Sequence, residues 1–204
     1  MTTRSHVGLG LGAAVLGGAL WWRKNPSACP YGQRFWVQPP HPFITRARLK
    51  EALQPRAGQH ILEVGPGTGY YALDTAEWIT PSGTLDIFDL QPKMLDHTMR
   101  RAKYRGITNI TPTQGTAEQL PYPDATFDAA YLVAVLGEIP DQHAALSELA
   151  RVLRPGGHLI VGELFGDPHW VAPATLLRNG TDAGLTFEDR TGRLLGHYTK
   201  FVKP

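Results

Sequence analysis

The segment Glu63-Val64-Gly65-Pro66-Gly67-Thr68-Gly69 limits the choice of fold more than any other stretch of the chain. It closes a short apolar run, His60–Val64, and opens a helical pattern from Tyr70 to about Ile79. Glycines at such a junction let the backbone turn sharply and come closer to a ligand than any residue with a Cβ. In open α/β sheets, ligands bind beyond the carboxyl ends of the strands. The chain from Phe43 onward repeats this alternation. Ile44, Ala47, Leu49, Ala52 and Leu53 mark a helix ending before Pro55. Thr84–Asp89 is a second strand, followed by a helix from Pro92 to about Gly106 with its proline in the first turn. Asn109–Thr113, Phe127–Leu136 and His158–Glu163 supply three more strands. Asp141 can cap a helix that runs to Leu153 and stops at Arg154-Pro155-Gly156-Gly157. Residues 171–182 suggest another helix, and Leu185–Asp189 and Leu194–Val202 two closing strands. Strict alternation predicts a parallel sheet covered by helices on both faces.

The carboxylates give the ligand its chemistry. Asp89 stands 20 residues beyond Gly69, where a carboxylate can accept both hydroxyls of a ribose. Glu63 precedes the glycines and suits a cationic amine. A dinucleotide fingerprint would need a third glycine at position 70, which is Tyr70, and no Gly-Lys-Ser/Thr follows to make a phosphate-binding Walker loop. The lone cysteine, Cys29, excludes a disulfide scaffold, and the eight histidines show no metal-ligand spacing, so no metal is expected.

With Glu63 and Asp89 in view, the stretch Ile61-Leu62-Glu63-Val64-Gly65-Pro66-Gly67-Thr68-Gly69 resembles motif I of class I S-adenosylmethionine-dependent methyltransferases, near the menaquinone/ubiquinone C-methyltransferase and small-molecule branch. Asp89-Leu90-Gln91-Pro92-Lys93-Met94-Leu95 is similar to the second motif of that family. Gly115-Thr116-Ala117-Glu118-Gln119-Leu120-Pro121 with Phe127-Asp128, and then Leu153-Arg154-Pro155-Gly156-Gly157-His158-Leu159, are similar to the later ones. The resemblance covers residues 58–165. It implies a Rossmann-like, seven-stranded α/β fold and S-adenosyl-L-methionine as cofactor. By the same resemblance, Glu63 would lie near the methionyl amino group, Gly65, Gly67 and Gly69 would wrap the cofactor, and Asp89 would hold the ribose hydroxyls. Leu90 would flank the adenine, with Thr116, Ala117 and Glu118 along its edge. The usual Gly-Asp-Ala is here Gly-Thr-Ala, so either Thr116 or Glu118 would have to accept the adenine amino hydrogen.

Methyl transfer from a sulfonium needs alignment of acceptor and methyl in a dry site, and a base only where the acceptor must first lose a proton. Glu138, in Val135-Leu136-Gly137-Glu138-Ile139-Pro140, is the candidate catalytic residue. It is read either as a base or electrostatic contact for the acceptor, or as a surface carboxylate at a helix start. Tyr31, His41 and His169 can reach the site from flanking segments but suit structural roles. His143 belongs to a solvated helix face, Tyr70-Tyr71 to cofactor packing and core, and Cys29 lacks the partner a nucleophile needs.

The net charge of +2 averages two unlike parts. Residues 1–50 carry +7 with no carboxylate, and the remainder carries −5. Val7–Trp22 has no charge, and its closing tryptophan pair is followed by Arg23 and Lys24, which favours a membrane interface with the catalytic part in the cytoplasm. As a helix it would be about 24 Å long, and its Gly-xxx-Gly spacing would let two copies pair into a homodimer. The expected organisation is an N-terminal hydrophobic helix and anchor over 1–24, a proline-rich linker over 25–42 and a methyltransferase domain over 43–204. About 40 residues follow the fifth strand, too few for a substrate domain, so a lid from residues 25–55 is expected over a small, lipophilic acceptor. Lipids, quinones, phenols, amines and thiols qualify, whereas nucleic acid is not expected as a partner because no RNA-binding module accompanies the basic residues. The alternatives are a non-catalytic S-adenosylmethionine-binding partner protein and an NAD-dependent oxidoreductase.

Overall fold

The computed structural model describes residues 25–36, 38 and 41–204. Its centre is one seven-stranded sheet in the order β3-β2-β1-β4-β5-β7-β6. The strands are β1 (His60–Val64), β2 (Thr84–Asp89), β3 (Ile110–Gln114), β4 (Phe127–Val133), β5 (Leu153–Leu164), β6 (Thr186–Arg193) and β7 (Gly196–Val202). Helices α1 (Arg46–Leu53), α2 (Ala72–Trp78), α3 (Pro92–Arg105), α4 (Gln142–Val152) and α5 (Pro173–Asp182) cover its two faces.

Alternation along each strand divides the core into two layers. Leu62, Ala130, Leu132, Leu159, Val161 and Phe201 pack with Leu146 and Leu149 of α4 and Leu176 of α5. Ile61, Leu85, Ile87, Ala129, Tyr131, Ile160 and Tyr198 face the other way, onto α1, α2 and α3. Strands buried on both faces are continuous apolar runs for this reason.

Local chemistry explains the helix limits. Thr45 accepts from the Arg48 N–H to cap α1, and Asp141 accepts from the Ala144 N–H at 2.9 Å to cap α4. Pro92 opens α3, where its missing N–H costs nothing, and Gly106 ends it at φ +70°. The expected Phe127–Leu136 strand stops three residues early, because Ala134 adopts φ +55° and turns the chain into a single 3-10 turn, Leu136–Glu138. The expected Arg154–Gly157 turn is instead the start of β5, whose pairing with β4 shifts register between Phe127 and Ala129.

The sheet is mixed, not parallel. β7 runs antiparallel to both β5 and β6. Only two residues, Leu194 and Leu195, separate β6 from β7, and a parallel return needs a crossover of a dozen or more. The anticipated apolar helix over 7–22, with the anchor over 1–24 and any pairing through it, lies outside the described residues. Among the described residues, no helix is long and apolar enough to cross a membrane.

Candidate functional site

The strand order reverses between β1 and β4, and at that switch point open α/β sheets place their ligand, beyond the carboxyl ends of the strands. Here β1 passes into the glycine loop. Gly65, Gly67 and Gly69 have φ of +71°, +55° and +79°, a region that residues with a Cβ enter at a cost of about 1–2 kcal/mol. A Cβ at Gly65 would stand 2.5 Å from Val135 Cγ2, and one at Gly69 would stand 2.8 Å from Thr98 Cγ2. The loop is held from three sides. The Gly65 N–H donates to Phe88 O at 2.8 Å, Thr98 Oγ1 to Gly67 O at 3.1 Å, and Arg101 Nη1 to Thr68 O at 2.5 Å.

Glu63 lies beneath this loop, 2% exposed. The Tyr131 hydroxyl donates to Glu63 Oε2 at 2.7 Å and lies 3.0 Å from Thr75 Oγ1. Burial, with some repulsion from Asp89, pushes the Glu63 carboxyl up to about 8 against the pull of the Tyr131 bond. Asp89 ends β2, 9% exposed, and accepts from the Gln91 N–H at 2.8 Å. Burial raises it to about 6, while the Gln91 and Gly67 N–H groups pull the other way.

The loop after β3 comes to the same place, since the Gly115 N–H donates to Asp89 O at 3.1 Å. In that loop Thr116 is exposed, Ala117 is buried against the core and Glu118 is half-buried. Leu90, beside Asp89, is 52% exposed, unusual for a leucine and suited to a surface that an aromatic ring covers.

Glu138 is not a solvated surface carboxylate. It follows β4 in the 3-10 turn, and its Oε2 accepts from the Cys29 N–H at 3.2 Å. Burial, then repulsion from Asp167 and Asp89, raises it to about 8. Beyond β5, Glu163 accepts from the Val171 N–H at 3.0 Å, and burial raises it to about 8. Burial also raises Asp167, against the opposing pull of His169 and His41. One end of the sheet thus gathers five carboxyl groups that burial holds above their ordinary range, with added repulsion from a neighbouring carboxylate at Glu63, Glu138 and Glu163. That set suits a cationic ligand.

The segment before the domain lies across this end. Gln91 Nε2 donates to Cys29 O at 2.9 Å, and Gln91 Oε1 accepts from the Tyr31 N–H at 3.0 Å. The linker therefore spans from Gln91, at the start of α3 beside Asp89, to Glu138 after β4, and in the sheet order β1 with its glycine loop lies between β2 and β4. Its 3-10 turn, Tyr31–Trp36, carries Tyr31 to within 3.3 Å of His97 Nδ1. His41 packs edge-on to Tyr70, 6.0 Å between ring centroids, and the His169 backbone fits against Gly137 so closely that a Cβ there would overlap it. All three residues set aside as structural thus border the site. Cys29 does so through its backbone, while burial, then Glu138 and Asp167, push its thiol up and away from nucleophilic use. His143 is exposed on α4. Tyr71 belongs to the core, its hydroxyl donating to Ile44 O. Among the described residues, no group of three or more His, Cys, Asp or Glu could hold a metal ion.

Tyr131, Gln91, Glu163 and Asp167 were not singled out from the sequence. Tyr131 had a signal, because a tyrosine inside an otherwise apolar strand needs a partner for its hydroxyl. The other three had none, since only the fold brings Glu163 and Asp167 to this end of the sheet and the linker to the Gln91 amide.

A model of the ubiE/COQ5 methyltransferase family matches residues 41–169. The chain belongs to that family. Among its relatives, the ubiquinone/menaquinone biosynthesis C-methyltransferase UbiE of Cellvibrio japonicus is 38% identical over 120 residues, covering 58% of this chain and 48% of that protein. The demethylmenaquinone methyltransferase of Geobacillus kaustophilus is 33% identical over 112 residues, covering 55% and 48%. The chain thus spans about half the length of the curated relatives it matches. A SAM-dependent methyltransferase from Aquifex aeolicus superposes with a TM-score of 0.76 at 18% identity, covering 86% of this chain and 100% of that one. The [4+2]-cyclase SpnF superposes with a TM-score of 0.69 at 20% identity, covering 78% and 79%. Both likenesses show a Rossmann-like methyltransferase fold, and the cyclase shows that this fold alone does not fix a reaction. The ubiE/COQ5 match ends at His169, so α5 and the β6–β7 hairpin lie beyond it.

Proposed function

We propose that the protein transfers a methyl group from S-adenosylmethionine to a lipophilic acceptor of the quinol type at a membrane surface. The observation that carries the cofactor is the pairing of Glu63 and Asp89 around the glycine loop, at the switch point of a ubiE/COQ5-family sheet. Both carboxyls are held up by burial, and a cationic ligand would relieve that cost. When bound, the cofactor supplies an electrophilic methyl on a sulfonium. Glu63 would take the ammonium end, Asp89 the ribose hydroxyls, and Leu90 with the Thr116–Glu118 turn the adenine.

The acceptor class rests on the names of the relatives, two of which are quinone-biosynthesis or demethylmenaquinone methyltransferases. A quinol carbon becomes nucleophilic when a ring hydroxyl gives up its proton. Glu138, raised to about 8, has the basicity that accepting such a proton near neutrality requires. The linker over residues 25–36 would exclude water from the reacting centre. The apolar run 7–22 would hold the site where lipophilic acceptors concentrate.

Calorimetry with S-adenosylmethionine and NADH, followed by transfer of a labelled methyl to demethylmenaquinol, thiols, phenols and amines, tests the reading. Binding of NADH with none of S-adenosylmethionine would refute the cofactor, and labelling confined to thiols or amines would refute the acceptor. Glu138→Gln should lower kcat by about 100-fold or more, with cofactor affinity changed little. An unchanged kcat removes Glu138 as the base. Recovery of the whole chain in a low-salt soluble fraction without detergent would contradict the membrane placement.

A further inference from the structure

The helix α3 carries five cations, Lys93, Arg100, Arg101, Lys103 and Arg105, against one acid, Asp96. His97, Arg100, Arg101, Tyr104 and Arg105 line a shallow, open depression of about 360 Å³ on this helix. Arg46 and Arg34 add to the positive field, and Asp74 is the acid that answers it, bonded to Arg46 at 2.7 Å and Arg105 at 3.0 Å. Among the described residues the Arg100 side chain makes no hydrogen bond or ion pair. His97 and Arg101 are both held below their ordinary range, first by burial and then by neighbouring cations. Such a surplus of positive charge around a concavity is complementary to an anion.

Three features favour a phosphate presented by a lipid over a soluble one. Tyr104 is 94% exposed at the rim, an amphipathic ring of the kind that sits at headgroup level. The cations lie along the exposed side of one helix, where a flat surface can meet them. The linker docks here too, with Tyr31 on His97 and the Arg34 guanidinium 4.6 Å from the Tyr31 ring centroid, and in sequence it follows the apolar run 7–22.

We infer that the groove on α3 binds the anionic headgroups of a phospholipid bilayer through Arg100, Arg105 and Tyr104. The inference rests on the proposed membrane placement and not on the methyl-transfer chemistry, so failure of methyl transfer with vesicle binding intact leaves it standing. A cation near an anionic surface is worth about fivefold in affinity, so two are worth roughly 30-fold.

The test is binding of the full chain to phosphatidylglycerol vesicles and to phosphatidylcholine vesicles, for the wild type and for Arg100→Gln/Arg105→Gln. Arg101 is left in place because it holds the glycine loop. The wild type should prefer the anionic vesicles, and salt should weaken that preference. The variant should lose roughly 30-fold on phosphatidylglycerol, keep its affinity for phosphatidylcholine and keep its calorimetric response to S-adenosylmethionine. Equal wild-type binding to both vesicles overturns the inference, as does a variant that keeps the preference. Saturation by inorganic phosphate, with no vesicle preference, would mark a soluble-anion site and overturn it too.

Discussion

Two carboxyl groups carry most of what single residues decide. Asp89 is held by the Gln91 and Gly67 N–H groups, so its oxygens are aimed before any ligand arrives. Hydrogen bonds to a charged group are each worth about 1.5–3 kcal/mol. Asp89→Ala should therefore weaken S-adenosylmethionine by about 100-fold or more, and an unchanged calorimetric affinity would put the nucleoside elsewhere. Glu63 depends on the Tyr131 hydroxyl, which lowers a pKa that burial has raised to about 8. A cation paired with Glu63 needs the ionised form. Cofactor affinity should then rise with pH up to about 8, by at most about tenfold per unit. Tyr131→Phe removes the donor, so the rise should move to higher pH, and affinity at pH 7 should fall. An unmoved profile would show that Glu63 does not titrate on binding. Glu63, Gly65, Gly67, Gly69 and Asp89 were all legible in the sequence because their spacing is local. Tyr131 was not, because it is 68 residues from Glu63 in the chain.

Among the elements, the end of β4 and the linker decide access. Ala134 holds a left-handed conformation that costs about 1–2 kcal/mol, secured by its N–H to Gly162 O at 2.8 Å. This turn puts Val135 against Gly65 and starts the 3-10 turn that delivers Glu138. Apolarity alone extended the strand to Leu136, since composition does not record a change of φ. Charge and aromatic content suggested a lid from residues 25–55, and residues 29–31 do cross the site. The side chain that clamps them, Gln91, was missed because amide partners 60 and 62 residues away leave no local trace. Gln91→Ala removes both amide bonds. It should accelerate cofactor release by about tenfold, from bonds worth about 0.5–1.5 kcal/mol each, with little change in melting temperature. A release rate equal to wild type in stopped-flow measurements would show that the linker does not gate the cofactor.

Over the whole molecule, buried ionisable groups set the response to pH. Glu63, Glu138 and Glu163 stand at about 8 and Asp89 at about 6, all raised above the values of an unfolded chain. The folded protein keeps protons that the unfolded chain has already released, so these groups make stability fall as pH rises toward 8. His41, His97, His158 and His197 are lowered, which makes stability rise up to about pH 6.5, where an unfolded histidine loses its proton. The two effects oppose below that point, and only the carboxyl effect remains above it. The melting temperature should therefore fall between pH 6.5 and 8, and S-adenosylmethionine should restore more of it at pH 8 than at 6.5. A flat profile over that window would mean that these carboxyls ionise without cost. By itself the sequence determined the alternation of strands and helices, the glycine loop and the carboxylate at the end of β2, because each depends on neighbours within a few residues. It also determined the division of charge between the two parts of the chain. Only the tertiary structure decided that β7 runs antiparallel, that five carboxyls meet at one end of the sheet and that the linker bonds to Glu138 and Gln91 there. Those outcomes depend on contacts between segments far apart in the chain, where burial and repulsion act through space.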